Sequence, residues 1–249
     1  MSEVSGKVMV FPQTTTRGDY WSELLVRETN CEIIWSEQVA NYLTHVIGFV
    51  FALIGLAVLF VYTQNESLLV RIGVMSWSGY VLCLGASALY HRQTSKLGYL
   101  WYQCVDHVMI SIGILGTIVP LLVSYDCFVF YPDIIFGLVA LTALNVLLHI
   151  PAAIKQKELS LVGYTLMIVI FVEMGGLVLA SCDVSLIAPD DPCFDLTIYG
   201  ALVYLVGLIP FCFGFYRKYD WFLHPVWHIF VLIGGGLHYA AILLPHLRF

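Results

Sequence analysis

The run Tyr42–Tyr62, YLTHVIGFVFALIGLAVLFVY, contains no Asp, Glu, Lys or Arg and a single His. At 1.5 Å of rise per residue, about 20 such residues in a helix cross the ~30 Å hydrocarbon core of a bilayer. Lipid cannot satisfy free backbone amides and carbonyls, so a spanning segment is a helix or part of a closed barrel. Barrel strands alternate over ~10-residue segments, and no such dyad appears here. The run is therefore a membrane-spanning helix. Six more runs of the same kind follow: Ile72–Tyr90, Cys104–Val123, Ile134–Ile150, Leu161–Ser181, Leu196–Tyr216 and Leu223–Leu244. Pro132 and Pro151 blur the limits of the fourth. The small-residue clusters Gly175-Gly176 and Gly234-Gly235-Gly236 are suited to close helix approach in lipid.

The whole chain agrees with this reading. Its 249 residues are 60% hydrophobic and 11% charged, with a mean hydropathy of +0.87. A soluble domain is about a quarter charged, so a water-exposed surface is excluded. The net charge of −6 supplies no basic patch for nucleic acid. The expected architecture is all-α: a polytopic seven-transmembrane bundle over 41–245, with a polar tail at 1–40 and a short tail at 246–249. No secretory signal is visible in the first segment.

Basic residues accumulate in cytosolic loops. Lys7, Arg17, Arg27, Arg92, Lys96, Lys155, Lys157, Arg217 and Lys218 fall on the side of the N-terminus, whereas only Arg71 and Arg248 fall on the other. This places the N-terminus in the cytosol and the C-terminus outside or in a lumen. Cys127, Cys182 and Cys193 then lie on the oxidising side, where disulfides persist. Cys182 and Cys193 flank one acidic loop and are the candidate bridge, with Cys127 as the competing partner. Cys31, Cys83, Cys104 and Cys212 are expected to stay thiols. Asn65-Glu66-Ser67 is a glycosylation sequon, on a loop too short to favour modification.

Ionisable residues inside a span are costly and point to function. Of the 17 acids, only Asp106 and Glu173 lie within spans, and five of the eight His (His45, His91, His107, His224 and His228) sit near the cytosolic helix ends. His224 and His228 are spaced i,i+4 and share one helix face, as do Ser87 and His91. Two His from one helix and one from another give the three protein ligands of a catalytic zinc, whose fourth position holds water. Asp106 is placed to orient or deprotonate that water, with Ser87 as a further hydrogen-bond partner.

Plainer readings stand beside this one. A His at a helix end is commonly an interfacial amphipath, and short motifs match by chance. Haem ligation is an alternative, although its axial His pair wants different helices. Asp106 has loop cations, Arg92 and Lys96, as alternative partners. His107 points about 100° away from Asp106 around the helix and is expected to be a bystander. Glu37, Asn41 and His45 form an i, i+4, i+8 stripe entering the first span; structural glue is favoured over a cavity wall. Glu173 is expected to be protonated or bonded inside the bundle. His149 and His238 are expected to pack, and His246 belongs to the outer tail.

Taken together, Glu37-x-x-x-Asn41-x-x-Thr44-His45, Ser87-Ala-Leu-Tyr-His91, Asp106 and His224-Pro-Val-Trp-His228 resemble the progestin and adipoQ receptor family, which includes the hemolysin III proteins. The segment His224–Tyr239, HPVWHIFVLIGGGLHY, is most similar to the hemolysin III and monocyte-to-macrophage differentiation factor branch. The resemblance covers about Glu37 to Leu244. It implies seven helices with a cytosolic N-terminus and a zinc held by His91, His224 and His228. It also implies that Ser87 and Asp106 stand near the metal.

Alkaline ceramidases belong to the wider superfamily, so the resemblance implies lipid amide hydrolysis, with a ceramide or fatty acyl ligand drawn from the membrane. Three functions remain open at this point. They are a zinc-dependent hydrolase of a ceramide-like amide, a receptor or signalling protein with structural zinc, and a pore. The pore ranks last, because no continuous polar face crosses the membrane. The host membrane is the plasma membrane or a Golgi-type endomembrane.

Overall fold

The computed structural model describes residues 31–93, 96–124, 132–155, 157–181, 183, 191–217 and 223–247. Among these there is no strand. Seven helical segments are long and apolar enough to cross a membrane, from Glu37–Tyr62 to Leu223–His246. The first span lies in α1 (Cys31–Tyr62), and the second is divided between α2 (Leu68–Met75) and α3 (Ser78–His91). Spans three to seven follow as α4 (Lys96–Ser124), α5 (Pro132–Ile154), α6 (Leu161–Ser181), α7 (Pro192–Arg217) and α8 (Leu223–Leu243), closed by a 3₁₀ turn at Leu244–His246.

Several boundaries differ from the sequence reading: α4 starts at Lys96 rather than Cys104, and α2 and α7 start four residues early. α1 begins at Cys31, so part of the region read as tail is helical and carries Gln38 onto the first span, next to Asn41 at its entrance. α5 runs through Pro151 to Ile154. A proline missing one amide bond is tolerated in membrane helices because neighbouring groups re-satisfy the freed carbonyl.

The break in span two has a local cause. The Ser76 hydroxyl donates to the Gly73 carbonyl, while Ser76 N and Trp77 N bond to Gly73 O and Val74 O, three residues back. A serine competing for helix carbonyls in this way bends a helix. Trp77, fully inside, donates from Nε1 to Ala52 O of α1 at 3.1 Å, which anchors the bend.

α7 pairs most extensively with α8 and α3 with α4, while α1 packs on both α3 and α8. Glycine permits two close approaches, one between α3 and α4 and one between α8 and α3. A Cβ on Gly79 of α3 would stand 2.6 Å from Ile112 O of α4, and one on Gly235 of α8 would stand 2.1 Å from the Tyr80 hydroxyl. Gly175 and Gly176 are different: an added Cβ would meet nothing within 4 Å. That cluster is not used for packing among the described residues. Glu173, one turn earlier, is exposed on the outer face of α6. Of the two alternatives expected for Glu173, the bond inside the bundle is not seen among the described residues; α6 is apolar all round and its sequence does not mark an inner face.

The exterior is apolar, as lipid demands: Phe51, Phe136 and Leu147 are among the most exposed side chains. The interior holds the polar groups, including Asn41, His45, Ser87, His91, Asp106 and His228. This inside-out distribution belongs to an integral multi-pass membrane protein. At the opposite end of α1, Asn65 is exposed in the turn before α2, and Ser67 of the same sequon caps α2 by accepting from Val70 N at 3.3 Å. His246, read only as tail, ties that turn to the end of the seventh span through Glu66, Nδ1 to Oε1 at 3.0 Å. Cys127 and Cys182 lie outside the described residues, and with them the candidate bridge; Cys193 is buried at the start of α7.

Candidate metal centre

Three helix ends build the centre. α3 terminates at His91. α8 starts at Leu223, and Pro225 in its first turn sacrifices an amide that has no helical partner in any case. His224 and His228 follow on one face. α1 lies against both helices and supplies the groups behind the imidazoles.

One nitrogen from each of His91, His224 and His228 lies within 4.8 Å of the others. The rings are inclined to one another like propeller blades: His91 to His224 by 61°, His91 to His228 by 65° and His224 to His228 by 67°. His91 is 7% and His228 1% exposed, so water does not solvate these two rings, and His224 is half-buried. Three convergent, edge-on imidazoles are a donor set for a small tetrahedral ion.

The hydrogen bonds behind the rings select the tautomer. His91 Nδ1 bonds to Gln38 Oε1 at 2.7 Å. An amide oxygen only accepts, so Nδ1 carries the proton and Nε2 keeps its lone pair. That Nε2 is buried and has no hydrogen-bond partner, which a metal ion would supply. His228 Nδ1 lies 3.1 Å from the Thr44 hydroxyl, which has carbonyls to donate to at Ala40 and Asn41, each 2.9 Å away. Thr44 is thereby free to accept from His228 Nδ1, again leaving Nε2 for a ligand. Ligating histidines ordinarily have such an outer partner, and the residues present fit a metal.

The remaining sequence candidates fall into two groups. Asp106 is 5% exposed and lies beside Ser87, which stands one turn before His91 on α3. Its carboxylate is not among the three converging donors. Arg92 is exposed and forms no described ion pair with Asp106; the Lys96 side chain lies outside the described residues. Asn41 and His45 are buried, 2% and 5% exposed, and stand one turn apart on α1. His45 stacks on His228 with ring centroids 3.6 Å apart, which joins α1 to α8. Glu37 is half-buried at the head of the same stripe.

His107, His149 and His238 stand apart from the triad. His107 Nδ1 meets His149 Nε2 at 3.4 Å, and His238 Nε2 bonds to Thr197 O at 3.1 Å. Gln38 is the residue that sequence reasoning missed. Its signal was available, since Gln38, Asn41 and His45 are spaced i, i+3, i+7 on one face.

Comparison with known proteins places this geometry. The model of the family described as haemolysin-III related matches residues 33–239, which takes in α1, the triad and Asp106. The chain belongs to the haemolysin-III related family. Among its relatives is the Hemolysin-3 homolog of Bacillus subtilis (strain 168), 26% identical over 212 residues, an alignment covering 83% of this chain and 93% of the relative. As a haemolysin-III related protein, the chain is a multi-pass membrane protein whose histidine cluster could hold a metal ion.

Proposed function

We propose that this haemolysin-III related protein is a zinc-dependent hydrolase of a lipid amide, with ceramide-like molecules as the leading substrate class. One observation carries the reading: three imidazoles converge, and no fourth His, Cys, Asp or Glu joins them among the described residues. Structural zinc sites are closed by four protein ligands, whereas catalytic sites use three and keep one position open.

His91, His224 and His228 would hold the ion, and Gln38 and Thr44 orient two of them. When bound, zinc supplies Lewis acidity, polarising a carbonyl and lowering the pKa of water towards ~7. Asp106 takes up the proton of the attacking water on its carboxylate and returns it to the leaving amine. Ser87 holds that carboxylate in place by hydrogen bond. The burial of His91, His228, Asp106 and Ser87 keeps bulk water from that side of the centre, which strengthens their interactions. The polar layer lies at the end of the bundle where basic residues gather, which we assign to the cytosol, in a plasma or Golgi-type membrane. The substrate arrives from the lipid phase.

The test joins metal analysis of the purified protein to hydrolysis of a ceramide by wild type and Asp106→Asn. Stoichiometric zinc with hydrolysis that falls in the variant supports the reading. Stoichiometric zinc with no hydrolysis of any lipid amide returns the protein to a receptor or signalling role.

A further inference from the structure

Two acids lie deep in spans, and the bundle takes in only one of them. Asp106 is 5% exposed, whereas Glu173 is exposed on the outer face of α6. α6 runs from Leu161 to Ser181, so Glu173 stands about 18 Å from one end and about 12 Å from the other at 1.5 Å per residue. Either distance exceeds the reach of a glutamate side chain, so its carboxyl lies in hydrocarbon. Such a group is costly there and almost always faces a partner. Among the described residues no hydrogen bond or ion pair reaches Glu173. Val169, Glu173, Gly176 and Ala180 are all exposed and follow i, i+4, i+7, i+11, one narrow seam along the helix. A Cβ on Gly176 would meet nothing within 4 Å, so no described neighbour requires the glycine. The packing of α6 on the bundle falls to another side, where Met167 and Met174 are fully buried.

We propose that this seam is where two copies of the chain pair side by side in the membrane, with their Glu173 carboxyls meeting across a two-fold axis. The proposal is independent of the chemistry at the histidine centre. Copies inserted by the same charge rule share one orientation, so the two-fold axis runs along the membrane normal. It brings each residue near the axis to its own counterpart at equal depth. Self-complementarity therefore decides the fit. A neutral carboxyl has one O–H donor and a carbonyl acceptor, so two of them satisfy each other by a reciprocal pair of hydrogen bonds. A lipid chain offers neither group. Gly176 and Ala180, one and two turns further along the seam, let the two backbones come close enough for the carboxyls to touch.

The test is subunit counting by single-molecule photobleaching, on the full chain labelled at its C-terminus and reconstituted in lipid bilayers over a range of densities. Wild type is expected to bleach in two steps, in excess of random co-occupancy. Gly176→Leu fills the seam, and Glu173→Leu removes both hydrogen-bonding groups. Each is expected to lower the dimer association constant about tenfold or more. Alanine at 176 is still small enough for the approach, so leucine is the informative change. Glu173→Gln keeps a donor and an acceptor and is expected to pair like wild type. Leu147→Phe alters a different exposed face, on α5, and is expected to change nothing. Circular dichroism at the wild-type helical content shows that each variant keeps its fold. A wild type that stays monomeric at every density overturns the proposal and leaves the seam to a helix of a different protein. A pair that survives both Gly176→Leu and Glu173→Leu overturns it as well, by placing the contact on another face. Equal loss in Glu173→Gln and Glu173→Leu overturns the carboxyl pairing.

Discussion

Gln38 Oε1 accepts a hydrogen bond from His91 Nδ1 at 2.7 Å, joining the first helix to the second span behind the metal-facing edge of the ring. With Thr44 behind His228, it makes α1 the scaffold that orients the ligands, although α1 contributes no ligand itself. Glutamine and threonine only aim the imidazoles, and their loss should weaken a metal site without abolishing it.

Gln38→Leu is therefore expected to lower zinc affinity by about 10–100-fold, the range found for outer-shell partners of ligating histidines. Gln38→Glu should retain wild-type affinity or exceed it, since a carboxylate accepts the same hydrogen bond more strongly. Competition with a calibrated chelator measures both. Equal affinity in wild type and Gln38→Leu would show that this hydrogen bond does not prepare His91.

Asp106 separates binding from chemistry. Asp106→Asn should leave zinc content unchanged and reduce ceramide hydrolysis by about 10²–10⁴-fold, the usual contribution of a general acid–base group. A variant that loses zinc instead would make Asp106 a fourth ligand and the centre a closed one.

The glycines give a stability test independent of metal. Gly235→Ala would drive a methyl group to 2.1 Å from the Tyr80 hydroxyl and should destabilise the bundle by about 1–3 kcal/mol, as overpacking does. Gly176→Ala meets open space and should be neutral or stabilising by up to ~1 kcal/mol through helix propensity. Thermal unfolding in detergent distinguishes them. A destabilising Gly176→Ala would mean that this face is covered in the membrane.

The seven spans were legible because the bilayer sets their length and polarity so strictly that Tyr42–Tyr62 could hardly be anything else. The triad was legible for a related reason: His224 and His228 share a face by spacing, and topology brings His91 to their depth. What the sequence did not disclose depends on rotation about helix axes. Glu173 sits in a helix apolar on all sides, so no periodicity marks whether it points inward or to lipid. Gln38 was hidden because the i, i+4, i+8 series runs through its neighbour Glu37, while the i, i+3, i+7 series through Gln38 ends on the same Asn41 and His45. The bend at Ser76 and Trp77 arises from one hydroxyl taking a helix carbonyl, too small a signal to rise above an apolar run. His45 could be assigned to a stripe, but its stacking on His228 needed three dimensions.

The central claim is that three histidines from two spans hold one zinc ion with a position left open. Zinc-edge X-ray absorption on the purified full chain tests it most directly, alongside metal content of single Ala variants. The account predicts one zinc per chain, three imidazole nitrogens and one further oxygen at about 2.0–2.1 Å. It also predicts loss of zinc in His91→Ala, His224→Ala and His228→Ala but not in His107→Ala or His246→Ala. A zinc shell containing sulfur, or zinc that survives His91→Ala and is lost in His107→Ala, would contradict it.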